Sequence, residues 1–291
     1  MPSARAEFDP AYGRLVTAAD GVARITCENP GPMTGPGTNT YLVGDERVCV
    51  VDPGPDDAEH REAIRRAVDG RAVEAVLITH RHRDHCGGAE ALARVLEAPL
   101  LAVDATQLRR PLPDGLGVDR NVTADRHVGD GAAIDLGTVG ATVIFTPGHG
   151  SDHICVAIEA PGGRSLLSGD HVMGWSTSVI APPYGHMGDY LASLRRLLDQ
   201  PEVLFLPGHG APITAPHAHM RAVLNHRLVR EDIILEQVRK DRSEVSDIAD
   251  AAYPGLDPQM RPAAMLSTLA HVEHLEERGL VERSGESVRP R

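Results

Sequence analysis

Aromatic side chains are scarce in this 291-residue chain: three phenylalanines, five tyrosines and one tryptophan make up 3% of it. Valine, leucine, isoleucine and alanine must therefore fill the core, and few rings are left to stack on nucleic-acid bases. Lysine is almost missing, with Lys240 the only one, so positive charge rests on arginine. The 29 basic residues fall short of the 41 acids, for a formal net charge of −12. Such a chain has no general attraction for nucleic acid or anionic lipid, and a phosphate-bearing substrate would need a local basic patch or a bound metal. Cysteine is limited to Cys27, Cys49, Cys86 and Cys155 with no C-x-x-C pair. That spacing argues against a cysteine zinc site and a disulfide framework, and fits a reducing compartment. No stretch approaches the roughly 20 apolar residues of a membrane span. Met1–Val16 has no apolar run leading to a small-residue cleavage site, and it carries Glu7 and Asp9. The expectation is a soluble, cytoplasmic protein with no membrane partner.

Apolar residues form 42% of the chain, enough for a sizeable core. Short apolar runs read as strands at Val22–Glu28, Thr38–Val43, Val48–Val51, Val73–Ile78, Leu100–Val103, Ala132–Leu136, Ala141–Phe145, Ile154–Ile158, Ser165–Leu167 and Val203–Leu206. Helical patterns lie at Asp56–Val68, at Gly88–Leu96 and in a segment running to about Leu198 with Asp189 as its cap. This alternation predicts a layered α/β domain over residues 1–215. His217–Lys240 then reads as one helix without interior glycine or proline, inside a connecting segment 216–242. Residues 243–291 follow as two helices (Ser246–Ala252 and Ala263–Arg278, closed by Gly279) and a hairpin around Ser284–Gly285, a winged-helix-like module.

Fifteen histidines are present, and their placement carries the chemistry. Thr79-His80-Arg81-His82-Arg83-Asp84-His85 directly follows the buried run Val73–Ile78. In extended backbone His80 and His82 project to one side, while Asp84 and His85 lie past the bend. Three later turns each place one ligand-type residue after a short apolar strand: His149 in Thr146–His149, Asp170 in Ser168–Asp170 and His209 in Pro207–Gly210. Each turn alone is a weak signal. Together with the first cluster they supply three ligands per metal and a shared carboxylate, the set a two-metal hydrolytic site requires. Imidazole and carboxylate donors without thiolate suit zinc, manganese or iron. His153, four residues after His149, reads as a support for the ligands. Arg81 and Arg83 read as pointing outward or paired with acids, and Cys86 as a packing residue.

The pattern H-x-H-x-D-H, followed by His, Asp and His at strand ends, resembles the metallo-β-lactamase superfamily over roughly Ala23 to Pro212. The resemblance implies an αββα sandwich. It implies one zinc on His80, His82 and His149, a second on Asp84, His85 and His209, and Asp170 bridging both. Asp84 would also orient the attacking water. The superfamily's di-iron oxygen-reducing members place a glutamate where this chain has His82, which favours two Zn2+ over Mn2+ or Fe. Asn29–Val43 (NPGPMTGPGTNTYLV), Asn225–Glu231 (NHRLVRE) and the terminal module resemble the mitochondrial beta-lactamase-like endoribonuclease family and its bacterial relatives. That family implies single-stranded RNA cleavage, and fungal relatives act on carrier-bound thioesters. Family members often carry threonine after the bridging aspartate, where this chain has His171.

The residues leave the substrate open. His217–Lys240 holds five basic residues against three acids, and Arg227 and Arg230 are candidate phosphate contacts; the alternative is that they pair within the helix or dock it. The terminal module, from Asp241 to Arg291, has six arginines against ten acids, which argues against duplex DNA. His171, Tyr184 and His186 are candidate catalytic groups near the site mouth. Asn39 and Thr40 are candidate substrate contacts, or turn and ladder residues. The leading expectation is a binuclear zinc hydrolase cleaving phosphodiesters of single-stranded RNA. The alternatives are a thioester or acyl hydrolase and a metal-stabilised binding module without turnover. A homodimer is compatible with the exposed terminal module.

Overall fold

The computed structural model describes residues 8–201, 203–240 and 242–291. The reading of the N-terminus as free of a targeting segment lies partly outside the described residues. Seven strands form the first sheet: β1 (Val16–Ala19), β2 (Val22–Thr26), β3 (Asn39–Val43), β4 (Arg47–Val51), β5 (Ala72–Leu77), β6 (Leu100–Val103) and β7 (Arg126–Val128), paired in that order. Pairing is antiparallel from β1 to β4 and parallel from β4 to β7. Helices α1 (Ala58–Val68), α2 (Arg83–Cys86) and α3 (Ala89–Leu96) fall within the parallel crossovers. Strands β8 (Ala133–Asp135), β9 (Gly140–Phe145), β10 (Ile154–Ala160), β11 (Gly163–Gly169) and, after α4 (Met187–Leu198), β12 (Leu204–Pro207) form the second sheet in the order β12-β11-β10-β9-β8.

Strand periodicity explains the layers. In β5, Ala75 and Leu77 face the second sheet, where they meet Val143, Ile154 and Val156. Val76, and Ile78 just beyond the strand, face the other way onto Ile64 of α1 and Leu92 of α3. Both faces are covered, so these strands read as continuous apolar runs rather than alternating ones. The outer face of the second sheet packs Cys155, Leu166 and Phe205 against α4 and the first half of α5 (Pro216–Arg239). The αββα sandwich expected from the sequence is therefore present. Two strands were not anticipated: β1 is short and half-exposed, and β7 has only three residues, two of them exposed.

The cap of α4 is His186, whose side chain accepts from the Asp189 amide; Asp189 sits inside the first turn. The terminal module contains α6 (Val245–Ala252), α7 (Arg261–Glu277), β13 (Val281–Ser284) and β14 (Ser287–Pro290), in the winged-helix arrangement. One helix serves two cores: Met220 and Val223 of α5 pack under the second sheet, while Ile234, Leu235 and Val238 pack with α6, α7 and the hairpin. Glu231, at the change-over, is almost fully buried. It accepts from His274 Nδ1 at 2.7 Å, from His271 Nδ1 at 3.3 Å and from Arg278. No helix among the described residues is long and apolar enough to cross a membrane.

Burial works against charge on Glu231, but the hydrogen bonds from His271 and His274 outweigh it and bring the carboxyl to about 2. Burial also lowers His271 to about 4. Both folded values lie below the ordinary 4.5 and 6.5, so the stabilisation is complete above those values and is lost as pH falls through about 4 and then about 2. Thermal melts recorded against pH should show this acid loss. Glu231→Gln should cost about 2 kcal/mol at neutral pH and flatten the dependence below 4.5. An unchanged acid limb in the variant would show that the linkage lies elsewhere.

Candidate metal centre

Every ligand-type residue singled out in the sequence lies at a strand end on one edge of the sandwich. His80 and His82 follow β5, and Asp84 and His85 belong to the short α2. His149 follows β9, Asp170 follows β11 and His209 follows β12. Three groups converge, each with ligand atoms within 4.8 Å of one another: His80, His82 and His149; Asp84, His85 and His209; His80, His85 and Asp170. Asp170 lies between the first two groups, its oxygens 3.4 Å from His85 Nε2 and His209 Nε2 and 3.7 Å from His149 Nε2. The backbone makes room for this: a Cβ at Gly208 would stand 2.6 Å from both Asp170 Oδ1 and His85 Cε1.

The tautomers follow from the outer partners. His85 Nδ1 donates to Asp52 (2.8 Å), His149 Nδ1 to the Val179 carbonyl (2.7 Å) and His209 Nδ1 to the Gly37 carbonyl (3.2 Å). Thr79 gives its hydroxyl proton to Asp52, so it accepts from His80 Nδ1 (3.0 Å). Each Nε2 is therefore the nitrogen turned to the centre, bare in the neutral rings of His80 and His149 and open to a metal in His85 and His209 once its proton leaves, the orientation a metal-binding histidine needs. Those nitrogens crowd: His80 Nε2 and His149 Nε2 each lie 2.9 Å from His82 Nδ1. Burial holds His82 at about 3 and His80 well below its ordinary value, so both rings are neutral. A neutral His82 has at most one proton on Nδ1, so one hydrogen bond cannot serve both contacts, and a cation at the centre would complete them. Asp170 Oδ1 is likewise buried without a hydrogen-bond donor. The donor set thus fits two divalent ions, with no thiolate among the ligands.

The second cluster behaves differently. Burial opposes charge on His209, but Asp170 and Asp84 outweigh it and lift the ring to about 9. His85 is raised by Asp170, Asp52 and Asp84 against the same opposition from burial. The carboxyls of Asp84 and Asp170 are held low by these imidazoles, again against burial.

Other sequence candidates lie outside the cage. His171 follows Asp170, but its ring is fully buried against Tyr190 (4.6 Å) and His153 (5.7 Å), and burial lowers it to about 3. It has no access to a substrate. Tyr184 is buried behind His82, its hydroxyl donating to Asp152 and accepting from the Arg81 amide. His186 caps α4 and pairs with Asp189 and Glu277. None of the three stands at the mouth, because each is consumed by packing between the ligand loops, α4 and α7.

Asn39 is buried and donates to the carbonyls of Pro207 and Gly210, clamping the His209 turn from the opposite sheet. Thr40 donates to the Asp52 carbonyl and accepts from His60. Both hold ligand-bearing backbone rather than substrate. Arg227 is buried, donating to the Ser178 carbonyl and Ser267 Oγ, and Arg230 lies 4.0 Å over the Tyr253 ring. These contacts dock α5, with the Arg227 guanidinium buried and that of Arg230 stacked on a ring of the terminal module. Arg81, expected outward or paired, is buried and paired with Asp152 at 2.8 Å, whereas Arg83 is exposed. His153 accepts from the Asp170 amide at 3.1 Å, the supporting role expected of it.

Asp52 was missed by the sequence reading. Its carboxylate orients His85 and holds Thr79 by both amide (2.7 Å) and hydroxyl (2.7 Å). An acid ending the apolar run Val48–Val51 was the available signal. Asp152, which ties Arg81 to Tyr184, carried no such mark.

The metallo-beta-lactamase superfamily model matches residues 33–209, and the model for the beta-lactamase-associated winged helix domain matches residues 245–289. The chain belongs to the metallo-beta-lactamase superfamily and carries that family's C-terminal winged helix. It is 31% identical over 281 residues to a beta-lactamase-like protein 2 homolog of Drosophila melanogaster, covering 93% of this chain and 91% of that one. It is 28% identical to an atrochrysone carboxyl ACP thioesterase of Claviceps purpurea, covering 84% and 76%. A beta-lactamase domain protein from Burkholderia ambifaria has the same fold, with a TM-score of 0.81 at 22% identity over 99% and 97% of the two chains.

Two measurements follow. Metal added to the apo protein at neutral pH should release protons, because His209 holds one up to about 9. Calorimetry in buffers of different ionisation enthalpy detects this; no net release would contradict the charge assignment. Asp52→Ala should weaken metal affinity by about 10–100-fold in chelator competition, through loss of His85 orientation.

Proposed function

We propose that this protein is a binuclear zinc hydrolase that cleaves acyl bonds, with thioesters as the substrate class. The cage carries the reading: seven convergent histidine and aspartate side chains exceed the four ligands of a closed structural zinc site. Two bound ions would supply Lewis acidity and a water activated at neutral pH. The residues do the rest. His80, His82 and His149 hold one ion, Asp84, His85 and His209 the other, and Asp170 joins the two groups. Asp84 keeps 30% of its side chain exposed, against 9% or less for His85, Asp170 and His209, so it is the carboxylate placed to orient a water arriving from solvent.

The choice of bond rests on where the arginines are. Arg227 and Arg230 were the candidate phosphate contacts; Arg227 is buried on Ser178 and Ser267, and Arg230 is stacked over the Tyr253 ring. A polynucleotide strand needs cationic partners for its phosphates. A thioester does not, and one similar protein bears the name of a thioesterase.

The test is a paired assay on the zinc-loaded full chain, with His82→Ala as control. The expected result is thioester turnover abolished in the control, with single-stranded RNA left intact. RNA cleavage that disappears in the control, without thioester turnover, would overturn the acyl reading in favour of phosphodiester hydrolysis.

A further inference from the structure

A cavity of about 1090 Å³ opens beside the cage, and none of the seven cage residues lines it. Its walls are the segments that leave the ligands. Gly210 to Ile213 continue from His209, and Gly174 to Ser176 lie shortly after Asp170. The opposite side is the proline-rich loop that includes Pro30, Pro32 and Pro36. The start of α5 adds Ala218, and the turn between α6 and α7 adds Met260. The terminal module is therefore part of the wall.

The described lining carries no cation, and beside its apolar side chains stand the neutral Ser176, Thr214 and Gln259. No lysine or arginine occurs among the described lining residues, and the one carboxylate, Asp257, already accepts from the Gln259 amide at 2.9 Å. His219 is turned to the Met173 carbonyl at 2.9 Å. Trp175, the only tryptophan of the chain, lies flush against backbone at two points. A Cβ at Gly35 would come within 2.9 Å of its ring, and one at Gly210 within 2.8 Å. The two glycines let the indole lie across the turn that carries His209. A volume of this order accommodates a ligand of many heavy atoms, and walls of proline, tryptophan, isoleucine and methionine favour an apolar one.

We propose that this cavity binds the acyl group of the substrate, a bulky, uncharged and apolar one, and that Met260 of the winged-helix module limits its size. The proposal rests on the acyl-hydrolase reading above. A flexible thioether at the rim adapts to ligands of different shape, which suits a limiting wall.

Trp175 makes occupancy measurable without turnover. Thioether analogues, in which a methylene replaces the thioester carbonyl, are titrated into the zinc-loaded full chain from two to twelve carbons, with tryptophan fluorescence as readout. Hydrolysis of the matching thioesters of one small thiol is measured in parallel. Affinity and kcat/KM should rise roughly tenfold for each two methylenes until the cavity fills, the ratio that follows from about 0.8 kcal/mol per buried methylene. Ala218→Phe, at an exposed helix position facing the cavity, should abolish that rise. Met260→Ala should extend the rise to bulkier groups. Equal kcat/KM at every length with an unresponsive Trp175 would overturn the cavity proposal and leave the hydrolase reading intact. Length-dependent fluorescence without turnover of any thioester would do the reverse: the apolar site would stand and the acyl-hydrolase reading would fall.

Discussion

Imidazole nitrogens crowded to 2.9 Å in a buried site are the constraint on which the rest of this structure depends. The outer nitrogens of His80, His85, His149 and His209 are already committed to hydroxyl, carboxylate or carbonyl acceptors. The inner nitrogens cannot rotate away without breaking those bonds. A polypeptide keeps such an arrangement when cations complete it. The split in charge follows from the same geometry. His80 and His82 are held neutral by burial and by the imidazoles crowded around them, while His85 and His209 share two carboxylates and are raised.

Much of the surrounding polar structure is there to keep that edge rigid. Asp52 links the end of β4 to Thr79 and His85. Asn39 and Tyr41 of β3 reach the Pro207 carbonyl on the other sheet. Tyr184 and Arg81 meet on Asp152 behind the histidine loop. The winged helix is joined to the same framework. Arg227 on α5 donates to the carbonyl of Ser178, and Ser178 donates to the carbonyls of Asp170 and His171. The module is thus connected to the ligand turn through hydrogen bonds as well as through the shared helix, and its α6–α7 turn borders the cavity.

Local rules carried the reading of the fold a long way. Continuous apolar runs marked strands with two buried faces, their alternation with helical patterns gave a layered α/β domain, and the αββα order came from the resemblance. The edge strands β1 and β7 escaped because short, half-exposed strands have no such pattern. The helix at 187–198 was found with the wrong cap, because His186 at the start of α4 has none of the usual capping side chains.

The sequence by itself determined the donor set, because each ligand sits in a strand-end turn whose local composition is unusual. It could not determine which neighbouring polar residues serve the substrate and which serve the backbone. His171, Tyr184, His186, Asn39, Thr40, Arg227 and Arg230 all had suitable chemistry; His171 is enclosed with no hydrogen bond to its ring nitrogens, and the others are spent on contacts within the fold. That distinction depends on burial and on which carbonyls come within reach once the two sheets close, as when Asn39 meets Pro207 and Gly210 or Arg227 meets Ser178. The cavity was equally invisible, since its walls come from five separate stretches of chain that only the packed layers bring together.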